Sequence, residues 1–359
     1  MTWLTWRQFR GSAVMTAALL VVLTTTLALT GPNMASGYTT GIAACTQDDT
    51  CGRFYDRFFG QYDMPFMAVS LIVLLLPALV GLFWGAPLIT RELEAGTHLL
   101  VWNQSVTRVR WLAVKLGVVG LAAMAAACVC GLAVTWWSDP LDKSAPGNLA
   151  LMTPLVFGAR GIAPVGYAAF AFVLGVTVGM LVRRTLPAMA LTLAVFVAIQ
   201  LAMPLLVRPH LMPPVTSTFE LSEANVDGLG VSRDEGGKVR VSLETAVPGD
   251  TGAWVLANTM VDPSGRTLGG AGGGGGGRDG GGGEGSVPIS TTSGPCAPTQ
   301  AQGLGTCLVE INRLGYRQQA TYQPLARFWP FQWIETGIYA VLTLGLTWFA
   351  FWWIRRRLS

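Results

Sequence analysis

The chain has 359 residues, of which 51% are hydrophobic and only 12% charged, and its mean hydropathy is +0.47. An average soluble domain carries about 25% charged residues, and a soluble protein this apolar would lack the polar groups to cover its surface. Composition therefore argues for a membrane protein and against a soluble enzyme, a disordered chain or a nucleic-acid binder, while the net charge of +4 conceals a sorting of charge by region.

A helix needs about 20 mostly apolar residues to cross a bilayer core. Six windows qualify, at 12–30, 66–86, 116–137, 161–182, 186–207 and 334–354. Lipid offers no partner for an unpaired backbone N–H or C=O, so each must be helical. The fold class expected is an all-α polytopic membrane protein with six transmembrane helices and a large, partly disordered extracytoplasmic segment between helices five and six. The first five helices, residues 1–207, form one membrane domain, and residues 334–359 supply the sixth helix and a basic tail. Lys and Arg near span ends set the orientation. With the N-terminus inside, the inner segments hold Arg7, Arg10, Arg91, Arg108, Arg110, Lys115, Arg183, Arg184, Arg355, Arg356 and Arg357 against two acids, Glu92 and Glu94. Both termini are expected to be cytoplasmic, in a multi-pass plasma-membrane protein. The rival reading, a signal peptide cleaved near Met34-Ala35-Ser36, is disfavoured because the apolar stretch exceeds the usual signal core.

Two cysteines, Cys45 and Cys51, lie in the first outer loop, 31–65. The second span leads into the inner loop 87–115, the most informative stretch of the chain. Residues 90–102 read as a short helix, 103–107 as a turn, and Ser105 or Thr107 as a cap for the next helix. Arg91, Glu92 and Glu94 give that short helix a polar side, and Leu93, Leu99, Leu100 and Trp102 an apolar one. Two readings stand side by side: a connector lying on the membrane, or a docking helix for a cytoplasmic partner. Lys115 opens the third span, whose Cys128 and Cys130 read as small apolar core residues. The apolar piece 149–158 before the fourth span is irregular. The inner loop around Arg183 and Arg184 looks too short to dock anything.

Segment 208–333 is too long for a plain connection. Its residues 269–285 include 13 glycines in 17 positions and read as a flexible linker. Residues 238–247 alternate like a half-buried strand, and 307–312 read as another; together they are expected to cap the outer mouth loosely rather than form a large domain. Cys296 and Cys307 lie here. An oxidising compartment permits disulfides, and local pairing, Cys45–Cys51 with Cys296–Cys307, is preferred over a cross-link between the two loops because short loops close most readily. No metal site is expected, since no histidine lies near either pair. Glu335, about a turn into the last span, and Lys115 read as interfacial anchors that snorkel.

Missing chemistry narrows the function. Lys115, Lys143 and Lys238 are the only lysines, and none sits in the Gly-Lys-Ser/Thr context of a phosphate-binding loop. Neither His98 nor His210 is placed to serve catalysis at membrane depth. No catalytic residues are expected.

Thr90-Arg91-Glu92-Leu93-Glu94-Ala95-Gly96-Thr97, followed by Ser105-Val106-Thr107-Arg108 and by Lys115-Leu116, resembles the cytoplasmic loop of ABC transporter permeases of the type 2 exporter class. The C-terminal runs Arg327-Phe328-Trp329-Pro330-Phe331-Gln332-Trp333-Ile334-Glu335 and Trp352-Trp353-Ile354-Arg355-Arg356-Arg357 look like an actinobacterial branch of it. The resemblance implies a permease subunit of an ATP-driven exporter for an apolar or amphipathic compound, acting as a homodimer or heterodimer in the bilayer. It implies a separate ABC ATPase subunit carrying the ATP and Mg, so that this chain itself holds no cofactor and binds no nucleic acid. Arg91, Glu92, Glu94, Gly96 and Thr97 would then dock the ATPase, with Gly96 allowing a tight turn after the docking helix. Segment 208–333 departs from the family pattern. The alternative function is a non-transporting membrane anchor or sensor with a ligand-binding outer segment.

Overall fold

The computed structural model describes residues 2–45, 48–96, 107–222, 225–231, 238–243, 245–268, 284–290, 295–296 and 304–356. Thr97, Ser105 and most of the glycine-rich stretch lie outside the described residues. Among the described residues, six helices are long and apolar enough to cross a membrane: Ala13–Ala43, Cys51–Glu94, Arg108–Asp142, Ala163–Val182, Thr185–Leu211 and Leu325–Arg356. Each contains or largely overlaps one of the expected windows.

Helix α1 (Thr2–Ala43) and helix α2 (Asp48–Val80) extend well past their apolar windows. The stretch read as an outer loop, 31–65, is therefore mostly helical. Cys45 and Cys51 close the tip of this hairpin as a disulfide, with Cα atoms 5.3 Å apart. A π-helical turn, Gly81–Gly85, joins α2 to α3 (Ala86–Glu94) without a break. The 44 residues from Cys51 to Glu94 span about 66 Å at 1.5 Å per residue, roughly twice a bilayer core. Helix α4 (Arg108–Asp142) starts at Thr107, whose hydroxyl accepts from the Arg110 N–H at 3.3 Å. This is one of the two caps expected from the sequence. A one-turn helix α5 (Pro154–Phe157) lies in the irregular apolar piece, and α6 (Ala163–Val182) follows it. Helix α7 (Thr185–Ala202) passes through a second π turn, Met203–Val207, into α8 (Arg208–Leu211).

Helix α6 is the hub. Nearly every residue from Ala163 to Met180 is buried, and α2, α3, α4, α7 and the last helix all pack on it. Its hydrophobicity is not sided, which marks a helix enclosed by protein rather than facing lipid.

Segment 208–333 is more ordered than the loose cap expected of it. One antiparallel sheet has the order β1 (Val215–Phe219), β7 (Arg317–Gln323), β4 (Trp254–Val261), β5 (Thr267–Leu268). A second has the order β2 (Val226–Val231), β3 (Lys238–Leu243), β6 (Glu284–Ser290). The strand expected over 238–247 is β3. The strand expected over 307–312 is instead part of helix α9 (Leu304–Arg313). Cys307, Leu308 and Ile311 are buried while Val309 is 67% exposed; a strand would have put 307, 309 and 311 on one face, so the burial follows the helical period. The Cys296–Cys307 disulfide holds α9, and Asn312 clamps it by bonding both the N–H and C=O of Leu221 at 2.9 and 2.7 Å. Val239, Val241, Leu243, Met260, Val287 and Ile311 form a core beneath. In the β4–β5 turn, hydrogen bonds from Ser264 and from the Arg266 N–H hold the Asp262 carboxyl at about 2, well below its ordinary value. Helix α10 (Phe328–Arg356) closes the fold.

Candidate functional site

The stretch the sequence points to folds into a polar junction of three helices. Helix α3 ends at Glu94, where Gly96 turns the chain with φ +67°; residues 97–102 of the helix expected over 90–102 lie outside the described residues. A left-handed residue just past the last turn is the ordinary way to end a helix, and glycine takes it without a steric cost. Within α3, every third or fourth residue faces inward: Ala86, Ile89 and Thr90 are fully buried, and Glu92 is 8% exposed.

Glu92 does not project toward solvent. Its carboxylate lies 2.6 Å from the Lys115 ammonium, and Lys115 also donates to the Leu88 carbonyl at 3.2 Å. The Lys115 ammonium sits 4.6 Å from the centre of the Trp111 ring. Lys115 is 3% exposed, so the snorkelling anchor read from the sequence is corrected. Its charge is neutralised by an acid on the neighbouring helix, which removes the need to reach water.

Glu94 points the other way. One carboxylate oxygen accepts from the Thr185 N–H and the other from the Thr185 hydroxyl, both at 2.7 Å. This caps α7, the helix across the junction, with an acid from α3. The Thr185 hydroxyl lies 2.9 Å from that of Thr90. The Arg183–Thr185 turn, expected to be too short to dock anything, is thus fastened to α3. Arg91 is exposed and Gly96 half-buried.

Below this junction the chain backbones nearly touch. A Cβ added to Gly175 would lie 2.4 Å from the Gly81 carbonyl oxygen, and one added to Gly85 would lie 2.5 Å from the Phe172 carbonyl oxygen. Gly81-x-x-x-Gly85 on the π turn meets Gly175-x-x-x-Gly179 on α6. Small residues one turn apart let helices approach to van der Waals contact in a membrane, where no hydrophobic force drives them together. The π turn and α3 are therefore seated backbone to backbone on the hub.

A second buried network lies toward the β-sheets. Arg208 donates to both carboxylate oxygens of Glu335, at 2.9 and 3.0 Å, and Tyr167 donates to the same carboxylate. The Arg208 guanidinium stacks 4.1 Å from the Phe157 ring and 6.0 Å from that of Trp254 on β4. Arg208 and Glu335 are 1% and 0% exposed, so the anchoring role read for Glu335 is also corrected. Gln332, one turn before Glu335, accepts from the N–H groups of Ile162 and Ala163 and donates to the Phe157 carbonyl. Arg160 pairs with Asp142 at 3.3 Å.

The model of the ABC-2 membrane transporter related family matches residues 17–208, that is 192 of the 359 residues. The chain belongs to this family. No curated protein and no solved structure matches the chain. The match to the ABC-2 related family runs from residue 17, within α1, through α7 and takes in the whole α3–α4–α7 junction; the strands and α10 lie beyond it.

Of the residues singled out in this ABC-2 related chain, Arg91, Glu92, Glu94 and Gly96 come together on one helix and its terminal turn, and Thr97 falls outside the described residues. The sequence reading missed Thr90, Thr185 and the paired glycines. The four-residue spacing of Gly81, Gly85, Gly175 and Gly179 was the available signal. The Arg208–Glu335 pair was signalled more faintly, by opposite charges at the ends of two otherwise apolar spans.

Proposed function

We propose that this chain is the permease subunit of an ATP-driven ABC exporter, working with a separate ATPase subunit that binds the cytoplasmic end of α3 and the turn after it. Family membership supports the permease half of this reading, and the observation that carries the docking half is the rigidity of α3. An element that passes force from an ATPase into membrane helices must not flex on its own. Helix α3 is continuous with α2, lies backbone to backbone on α6, and is tied by ion pair and hydrogen bonds to α4 and α7. A push on its end is delivered to four helices at once.

In this reading the termini, the α3 end and the Arg183–Thr185 turn face the cytoplasm, following the excess of Arg and Lys there, and the β-sheets face outward. Arg91, Glu94, Gly96 and Thr97 shape the contact, with Glu92 holding the helix from behind. ATP and Mg are held by the partner. Two permease copies, identical or not, enclose the route, and the cargo is apolar or amphipathic. The test is to purify the tagged full-length chain from its own membranes and assay the complex for Mg-dependent ATP hydrolysis. A co-purifying ATPase whose activity changes on removal of the permease supports the proposal. Recovery of the intact, folded permease with no ATPase overturns it.

A further inference from the structure

The last turns of α10 carry a groove that changes from aromatic to cationic along its length. Trp348, Phe351, Trp352, Arg355 and Arg356 recur at the i, i+3, i+4, i+7 and i+8 spacing of one helical face. They line an open cavity of about 540 Å³, within the range of about 300–1,000 Å³ usual for small-molecule sites. Ala350 and Ile354, on the other side of the helix, are fully buried in the core of the bundle. Trp348 is 71% exposed, and Arg355 and Arg356 are exposed. The aromatic shelf is held in place: Phe349 packs on Trp352 with ring centres 5.9 Å apart, and the Arg356 guanidinium lies 5.5 Å from the centre of the Trp352 ring.

The two arginines lack a counter-charge. Among the described residues neither enters an ion pair. The only acids in the segments assigned to this side of the membrane, Glu92 and Glu94, are engaged by Lys115 and Thr185. Depth in the bilayer matches the change in chemistry. Trp348 lies six residues, or about 9 Å, inside the end of the apolar window at 354, whereas Arg355 and Arg356 lie within about 3 Å beyond it, in a headgroup band about 5–7 Å deep.

We propose that this groove binds an anionic phospholipid of the leaflet on the side of the basic tail, its phosphodiester held by Arg355 and Arg356 and its acyl chains laid along Trp348 and Phe351. A guanidinium offers phosphate a planar fork of donors, and indole rings favour the depth at which headgroup meets chain. The occupant must be amphipathic. A cytoplasmic protein reaches the arginines but not Trp348, and a free phosphate leaves the aromatic half unused. A second copy fits badly: about a two-fold axis normal to the membrane the groove faces itself at equal depth, which sets arginine against arginine. The proposal needs the sixth span and its orientation but not the ATPase, so its failure and that of the docking reading are separate results.

The test places the full-length chain in phosphatidylcholine nanodiscs containing a trace of phosphatidylglycerol, or of phosphatidylcholine, with a photo-reactive diazirine in its acyl chain. After illumination, adducts are mapped at 348–352 and at exposed Leu132 on α4, which serves as the reference. A basic residue at an anionic surface is worth about fivefold in affinity, so the ratio of phosphatidylglycerol to phosphatidylcholine adducts at 348–352 should exceed that at Leu132 at least fivefold. Arg355→Gln with Arg356→Gln should abolish the excess without lowering the thermal unfolding temperature. Arg183→Gln with Arg184→Gln, which removes the same charge from the same side, should leave it intact. Equal labelling by the two lipids overturns the proposal, and so does an equal loss in both double variants, which would mean diffuse surface charge. Displacement by inorganic phosphate, beyond that by sodium chloride of equal ionic strength, overturns it by making this a free-anion site. Absence of adducts from either lipid at 348–352 overturns it by showing the face covered by protein.

Discussion

Lys115 on α4 and Glu92 on α3 meet at 2.6 Å in a place that water barely reaches. Breaking a buried pair from one side leaves a lone charge in apolar surroundings and costs about 3–5 kcal/mol, whereas replacing both partners with apolar groups is often neutral. Lys115→Met alone should therefore lower the thermal unfolding temperature of the detergent-solubilised protein markedly, and the double variant Lys115→Met with Glu92→Leu should recover most of it. Equal damage in the single and double variants would show that the pair contributes nothing specific.

Gly96 separates two kinds of constraint. A Cβ there would meet nothing within 4 Å, yet φ is +67°. Any penalty is conformational and not steric. Gly96→Asn should be tolerated, because asparagine enters the left-handed region readily, while Gly96→Val should not. The readout is ATPase association at constant expression. Equal tolerance of both would mean the turn is not held as observed.

The contact between Gly175 and Gly81 is steric. Gly175→Ala places a methyl 2.4 Å from a backbone oxygen that cannot swing away. Overpacking of this sort costs about 1–3 kcal/mol. Gly117→Ala on the exposed side of α4, with nothing within 4 Å, is the control and should stay within about 1 kcal/mol of the wild type. Chemical unfolding of both variants in the same detergent decides it.

The six spans were legible because the apolar windows are long and lipid permits only helices there. Local pairing of the four outer cysteines was legible from loop length. The short polar residues were not. Glu92 and Glu94 are two apart in sequence, which on a helix sends them to different sides, one to Lys115 and one to Thr185. Only the packing of α3 against α4 and α7 decides which group each one meets, and that Glu92 is buried while Glu94 stays exposed. Lys115 and Glu335 were read as anchors because each stands near the end of an apolar run, and their partners, Glu92 and Arg208, are 23 and 127 residues away. The outer sheets were under-read for a similar reason. Strand β1 pairs with β7 across more than a hundred residues, and α9 imitates a strand in sequence because Leu308, Val309 and Ile311 sit beside Cys307.

Arg208 and Glu335 supply a further check, on the joint between the last helix and the outer sheets. Glu335→Gln strands the Arg208 charge and should destabilise the protein by about 3–5 kcal/mol. Tyr167→Phe removes one hydrogen bond to a charged group and should cost less, about 1.5–3 kcal/mol. Their effects should be strongly non-additive in a double-mutant cycle, because both act on the same carboxylate. Additive losses would place Tyr167 outside the network.

The end of α3 is the proposed meeting point of the ATPase and the membrane helices. A photo-reactive amino acid placed at Ala95, which is exposed at the end of α3, tests it most directly. Illumination of intact membranes should join the permease to the ATPase from Ala95 and give no such adduct from exposed Thr216 on β1. An ATPase adduct from Thr216, or none from Ala95 while the complex still co-purifies, would contradict the account.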